Sequence, residues 1–106
     1  MGIKIEKLSK DIWRGKKYHY TQVEDLDGWY IYKADIHYKD GMKDTSYEVF
    51  KKRVVPKNEF KDGHWQKVDD VMTEVYPSTE HWGIYAWTCM AIKRCHEVIK
   101  AKTCPN

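Results

Sequence analysis

Among the titratable residues, His37 has the predicted cross-strand neighbours that come nearest to forming an acid–base group. If Asp27-Gly28 and Asp40-Gly41 each form a two-residue turn, Tyr18 pairs with His37 and His37 pairs with Asp44. An imidazole beside a carboxylate and a phenol could transfer protons. The same predicted sheet face carries other polar side chains: Tyr20, Lys33, Asp35 and Glu48. Ordinary cross-strand pairs on a solvated face explain this pattern better, so we predict no catalytic residue.

The cysteine and histidine spacings do not suit a metal site. Cys89 and His96 are seven residues apart on a predicted helix, which places them two turns from each other. The sequence contains no C-x-x-C or H-x-x-x-H pattern, and it has no phosphate-binding or nucleophile-elbow motif. We therefore predict no metal, no cofactor and no enzymatic activity, with Cys89 and Cys95 as small core residues.

Basic residues next to aromatic residues are better candidates for function. Residues 51–53 are Lys-Lys-Arg at the end of one predicted strand, and Lys16-Lys17 precede another strand that begins with Tyr18. Phosphate contact and base stacking need this combination of side chains. The predicted partner-binding residues are Tyr18, Tyr20, Trp29, Lys51, Lys52, Arg53, Trp82 and Trp87.

The overall charge argues against a strongly basic nucleic-acid-binding domain. The net charge is only +3, because 16 acidic residues offset 19 basic ones. Acidic groups at residues 24–27 and 69–70 would oppose a nucleic acid unless they lie on another face. Direct binding of RNA or DNA is therefore the alternative function, and binding of a protein surface is the first.

Alternating strand-like segments position these residues. The segments 18–26, 29–38 and 43–55 surround two Asp-Gly pairs, which predicts a three-stranded antiparallel meander. Pro56 is expected to end the third strand, because proline cannot donate a ladder hydrogen bond. Residues 57–70 are polar and rich in turn residues, and residues 71–76 alternate as a plausible fourth strand.

A long C-terminal helix is the second predicted element. Ser78 suits a helix N-cap, and the pattern from Thr79 to about Lys102 favours a helix. Residues 82–92 contain no charged side chain, so this helix would be apolar on every side. One sheet covers only one side of a helix. The other side would contact the N-terminal segment of this chain, a second subunit in a homodimer, or a partner.

Length and composition complete the predicted class. The chain of 106 residues is expected to form one α+β domain over residues 1–106, with a three- to four-stranded antiparallel sheet packed against one long helix. The N-terminal residues lack an apolar signal segment, and three cysteines cannot all pair. These features predict a cytoplasmic location in a reducing compartment. Aromatic residues reach 14%, which favours a binding surface.

Two segments resemble stretches of short uncharacterised accessory proteins from bacteriophages and mobile elements. They are Tyr47-Glu48-Val49-Phe50-Lys51, and the thirteen residues from Tyr76-Pro77-Ser78 to Ala86-Trp87-Thr88. The resemblance covers about a sixth of the chain and carries no catalytic motif. It implies a compact phage accessory protein that acts inside a bacterial cell. Many such proteins inhibit host defences, and anti-CRISPR proteins are the best-known group.

The predicted function is therefore non-enzymatic binding. The resemblance implies a phage-encoded inhibitor, similar to anti-CRISPR proteins, that blocks a protein or ribonucleoprotein surface of a bacterial defence nuclease. The alternative is a small RNA- or DNA-binding regulator that uses a basic and aromatic sheet face. The strands must place the basic and aromatic residues side by side for either function.

Overall fold

The computed structural model describes residues 2–103, which form an α+β structure with mostly antiparallel sheets and one C-terminal helix. The described chain divides into two compact units. A smaller unit contains residues 2–8 and 52–76, and a larger unit contains residues 9–51 and 77–103. The expectation of a single domain over residues 1–106 stays a prediction.

The larger unit contains a five-stranded antiparallel sheet and the helix. Its elements are β2 (Asp11–Arg14), β3 (Tyr18–Leu26), β4 (Trp29–His37), β5 (Lys43–Lys51), β8 (Ala86–Cys89) and α1 (Ile92–Thr103). The strand order is β2-β3-β4-β5-β8. The predicted meander is therefore confirmed as β3, β4 and β5. It is extended by one short strand on each side, so the sheet is larger than the predicted three or four strands.

The smaller unit contains a three-stranded sheet of β1 (Lys4–Glu6), β6 (Val54–Lys61) and β7 (His64–Glu74), in the order β1-β7-β6. β7 runs parallel to β1 and antiparallel to β6. Residues 57–70, expected to be turn-rich, instead form most of a hairpin around Asp62-Gly63. Both turn residues have positive φ, 54° and 84°, as a two-residue type I′ turn requires.

Pro56 does not end a strand, and this expectation is wrong. It lies within β6 and pairs with Met72. Because β6 is the edge strand of its sheet, a residue without an N–H can be placed there without breaking an inner ladder. The preceding strand, β5, already ends at Lys51.

The long helix predicted over residues 79–102 is also wrong in its first half. Residues Thr79–His81 form a single 3₁₀ turn, and the chain then enters β8 before α1 begins at Ile92. Gly83 has a φ of 87°, which a right-handed helix does not allow. Ala86 pairs with Phe50 and Cys89 pairs with Tyr47. The uncharged run is therefore largely a turn and a sheet strand.

One core cluster of the larger unit lies between the helix and one face of the sheet. It contains Trp29, Ile31, Val49, Cys89, Cys95 and Val98, all less than a tenth exposed. Cys95 and Val98 are three residues apart and therefore lie on one side of α1. The expectation that Cys89 and Cys95 are core residues is confirmed. Burial and the neighbouring Cys89 thiol raise the pKa of Cys95 to about 12.

This burial predicts that Cys89 and Cys95 are unreactive in the folded protein. A Cys104→Ser variant leaves these two thiols, and at pH 9 the folded protein should resist iodoacetamide because Cys95 stays protonated and both residues are shielded. Guanidinium-unfolded protein should react fully under the same conditions, as measured by mass spectrometry. Equal rates in both states would contradict the buried positions. The unfolding free energy should also fall as the pH rises above 9, where only the unfolded thiol ionises.

Candidate nucleic-acid interface

Two turns meet at one end of the five-stranded sheet. Residues 15–17 connect β2 to β3, and residues 39–41 form the tight part of the connection from β4 to β5. The His37 N–H donates to the Lys17 carbonyl at 2.7 Å, which ties the first turn to the end of β4. The Tyr38 N–H donates to the Met42 carbonyl at 2.9 Å and closes the second turn. We call this region of the larger unit the turn end.

Basic and aromatic side chains share the turn end. The group comprises Arg14, Lys16, Lys17, Tyr18, Tyr20, Tyr38 and Lys39, and we call it the basic–aromatic patch. Lys17 Nζ is 5.6 Å from the ring centre of Tyr18 and 5.4 Å from that of Tyr38. The Arg14 guanidinium carbon is 5.5 Å from the ring centre of Tyr20. Cation–π contacts of this length stabilise an exposed pair by about 0.5–1 kcal/mol.

Two tyrosine hydroxyls of the patch have a raised pKa. The Tyr38 hydroxyl donates to Asp44 Oδ2 at 2.8 Å, and this hydrogen bond raises the pKa of Tyr38. Burial and, next, the Glu48 carboxylate raise the pKa of Tyr20. Tyr20 and Tyr38 therefore add no negative charge beside the lysines and the arginine at neutral pH.

The opposite face of the same strands carries a stack of three rings. The Trp13 ring stacks on His19, with ring centres 4.0 Å apart and planes at 7° to each other. It also stacks on His37, with ring centres 5.7 Å apart. Trp13 remains about half exposed, and His19 also contacts the Asp11 carboxylate. His37 Nε2 is buried without a hydrogen-bond partner among residues 2–103. A half-exposed indole ring therefore lies next to the turn end.

The acid–base arrangement of Tyr18, His37 and Asp44 does not form. Tyr18 pairs with Ile36 because β3 has a bulge between Gln22 and Glu24. His37 pairs with Lys43, because the second turn has one more residue than the predicted two. A shift of one residue moves side chains to the other face. Tyr18 and Asp44 therefore lie on the face opposite His37.

Of the eight predicted partner-binding residues, the structure places Tyr18 and Tyr20 in the patch. Lys51 and Trp87 contact Trp29 elsewhere in the larger unit. Tyr18 is exposed and Tyr20 is half-buried, and both lie on one face with Arg14. Lys51 lies at the other end of β5, seven residues beyond Asp44, or about 23 Å along the strand. Lys52 and Arg53 follow it in the chain and belong to the smaller unit. Lys51 therefore does not join the patch around Tyr18.

The tryptophans expected to be exposed are largely covered. Trp29 is only 3% exposed, so the expectation of an exposed Trp29 is wrong. Lys51 Nζ is 5.6 Å from the Trp29 ring centre, and the Trp87 ring centre is 6.1 Å from it. Trp29 lies on the face of β4 that the helix covers, so its ring is part of the core. Trp87 is half-buried, with Lys102 Nζ 5.2 Å from its ring centre, and Trp82 is also half-buried.

Other kinds of site find no support in the part of the chain that is described. Within residues 2–103, no three His, Cys, Asp or Glu side chains group in a way that could hold a metal ion. In the same range, the structure has no helix long and apolar enough to cross a membrane.

The sequence interpretation missed half of the patch. It noted Lys16-Lys17 beside Tyr18 and Tyr20, but it did not connect them with Tyr38 and Lys39. The available signal was the predicted pairing of Tyr18 with His37, which already places Lys16-Lys17 beside Tyr38 and Lys39. Arg14 lies in β2, a strand that was not predicted.

The Tyr38–Asp44 hydrogen bond gives a prediction about the patch. In Asp44→Asn, the pKa of Tyr38 should fall toward its ordinary value of 10.0, because the charged acceptor is lost. NMR titration of the Tyr38 ring carbon next to the hydroxyl measures this change. Asp40→Asn is the matched control and should leave the Tyr38 titration unchanged. An unchanged midpoint in Asp44→Asn would show that the hydrogen bond is absent in solution.

No family model matches the chain, and no curated protein and no solved structure is similar to it.

Proposed function

We propose that this protein is a non-enzymatic binding protein whose basic–aromatic patch binds single-stranded RNA or DNA. The observation that supports this most is the position of Lys17, which lies over the rings of both Tyr18 and Tyr38. Both rings are partly open, at 39% and 40% exposure. A strand can therefore place a phosphate at the ammonium and a base on a neighbouring ring.

The charges of the patch suit phosphate. Lys16, Lys17 and Lys39 form no ion pair with a carboxylate among residues 2–103, so their attraction for an external anion is not already neutralised. Asp40 and Asp44 lie beside the second turn, but the three lysines outnumber these two carboxylates. A local excess of positive charge can therefore exist although the whole chain carries only +3.

Stacking of bases on the aromatic rings would add an attraction that does not depend on the base sequence of the nucleic acid. Each base stacked on an aromatic side chain contributes about 1–3 kcal/mol. Tyr18 and Tyr38 offer two such rings, and the half-exposed Trp13 lies on the other face of the same strands. The patch therefore suits a short, unpaired strand better than a duplex, whose bases are already stacked.

Salt dependence tests this proposal. A hydroxyl-ended single-stranded oligonucleotide of about ten nucleotides should bind with a slope of log K against log salt near about −3, if four patch cations each contact a phosphate. Affinity should then fall roughly 50-fold between about 50 and about 200 mM salt. Fluorescence anisotropy with an internal label measures the binding.

Charge reversal locates the contact. Lys16→Glu with Lys17→Glu should weaken binding at least about tenfold and reduce the salt slope by about half. Lys93→Glu with Lys100→Glu is the control, because it changes the total charge equally on the exposed side of α1. Equal losses in the two variants would show a non-specific effect of net charge. An affinity that does not change with salt concentration would contradict phosphate contact.

We also propose, as the second candidate, that the protein inhibits a bacterial defence nuclease by occupying a protein or ribonucleoprotein surface. The resemblance to phage accessory proteins implies this role. The observation that favours a protein partner is the exposure of Ile84 and Met90, 70% and 79%, on either side of β8. Together with Trp82, they form apolar surface in the larger unit that a partner or a second copy could cover.

A pull-down separates the two functions. A tagged protein in a bacterial lysate should retain a protein partner after nuclease treatment if the inhibitor proposal holds, and Ile84→Ser with Met90→Ser should release it. Ile3→Ser, at a position 63% exposed, is the control. Recovery of nucleic acid alone would favour the first function. Recovery of nothing, together with a dimeric mass in solution, would indicate self-association.

A further inference from the structure

A cavity of about 550 Å³ lies at the turn end, and most of its lining residues belong to the basic–aromatic patch. Its lining residues are Lys16, Lys17, His37, Tyr38 and Lys39. Sites for small organic ligands occupy about 300–1,000 Å³, so the volume suits a ligand of nucleotide size. The lining comes from the two turns and the end of β4, which the hydrogen bond from His37 to Lys17 holds together.

Three ammonium groups give the cavity its charge. Lys16, Lys17 and Lys39 contribute them, and none is paired with a carboxylate in the described residues. The two acidic residues adjoining the second turn already accept hydrogen bonds. Asp40 Oδ1 accepts from the Met42 N–H at 2.9 Å, and Asp44 Oδ2 accepts from the Tyr38 hydroxyl at 2.8 Å. Both carboxylates remain charged, because their donors are neutral. The three lysines outnumber them, so the surroundings of the cavity favour an anion.

Most of the wall is apolar. Carbon atoms of the three lysines, His37 and Tyr38 supply most of its surface. Lysine side chains commonly pack their methylene groups against apolar surface while the ammonium stays at the edge. An occupant should therefore combine an apolar or aromatic part with negative charge, as a nucleotide does.

We propose that this cavity binds the phosphomonoester of a nucleotide. A phosphomonoester carries about −1.5 to −2 charges at neutral pH, whereas each phosphate inside a strand carries one. Three lysines around one cavity should therefore prefer the phosphomonoester. Its source is the phosphorylated end of a strand or a free mononucleotide. If the ligand is the end of a strand, this inference rests on the proposed function. The patch then recognises phosphorylated termini.

The test compares three oligonucleotides of one sequence, each with the same internal label. One has hydroxyl groups at both ends, one has a 5′-phosphate and one has a 3′-phosphate. At least one phosphorylated strand should bind about tenfold or more tightly than the hydroxyl-ended strand. Lys39→Met, which keeps most of the apolar stem, should remove this preference, and Lys100→Met should retain it.

A second measurement covers the free nucleotide. Adenosine monophosphate should shift the NMR signals of the His37 and Tyr38 rings, and adenosine without phosphate should not. This experiment needs no binding of an oligonucleotide, so it separates the cavity from the proposed function.

Each outcome decides the proposal. Equal affinity for all three strands, with no shift from adenosine monophosphate, would overturn the phosphomonoester site and leave the proposed function standing. Shifts from adenosine monophosphate without binding of any strand would support a mononucleotide site and overturn the proposed function. Absence of both strand binding and shifts would overturn both. A terminal preference that survives in Lys39→Met would place the phosphate outside this cavity.

Discussion

The larger unit depends on the pairing of β4 with a strand on each side. All nine residues from Trp29 to His37 pair with β5, and the eight from Trp29 to Ile36 also pair with β3. Both Ile31 and Tyr32 are fully buried. Buried backbone groups must be hydrogen-bonded, and β4 meets this requirement through its two neighbours. Because the three strands pair along almost their whole length, their ends coincide. This coincidence brings the turn after β2 beside the turn after β4.

The same constraint divides the sheet into two regions with different roles. On the face toward α1, the first part of β4 holds Trp29 and Ile31 in the core, where Trp87, Cys95 and Val98 pack against them. Toward the end of β4 this face carries Asp35 and His37 instead. The buried Asp35 accepts from the Thr45 hydroxyl at 2.6 Å and lies 4.0 Å from the Lys33 ammonium. A hydrogen bond and an opposite charge together offset the cost of its burial. The helix covers the apolar region, and the polar region leads to the turn end.

A modest net charge is compatible with a concentrated basic site in this architecture. The patch places Arg14, Lys17 and Lys39 at one end of the sheet, whereas Glu24 lies farther along β3 and contacts His96 of the helix at 2.6 Å. Glu24 is therefore kept away from the patch, whereas Asp40 and Asp44 adjoin it. Charges inside the Debye length of about 10 Å determine the potential that an external anion meets, so the local arrangement matters more than the total.

The sequence alone determined the three central strands and the buried cysteines. Alternation over nine residues and the Asp-Gly pair after Leu26 depend on local side-chain period and turn chemistry, which need no knowledge of the rest of the chain. The strand β8 was different, because its uncharged residues suit a buried helix and a buried strand equally. Only the pairing of Ala86 with Phe50 decided between them.

The candidate site was likewise predicted only in part from the sequence. The sequence identified Lys16-Lys17 with Tyr18 and Tyr20 as basic and aromatic neighbours, but it also included Trp29 and Lys51, which the fold places elsewhere. A bulge in β3 and one additional turn residue set the registers, and neither leaves a mark that sequence periodicity can detect. The sequence therefore determined which chemistry the protein carries. Only the tertiary structure decided which residues share a surface, because strand register depends on contacts between segments distant in the chain.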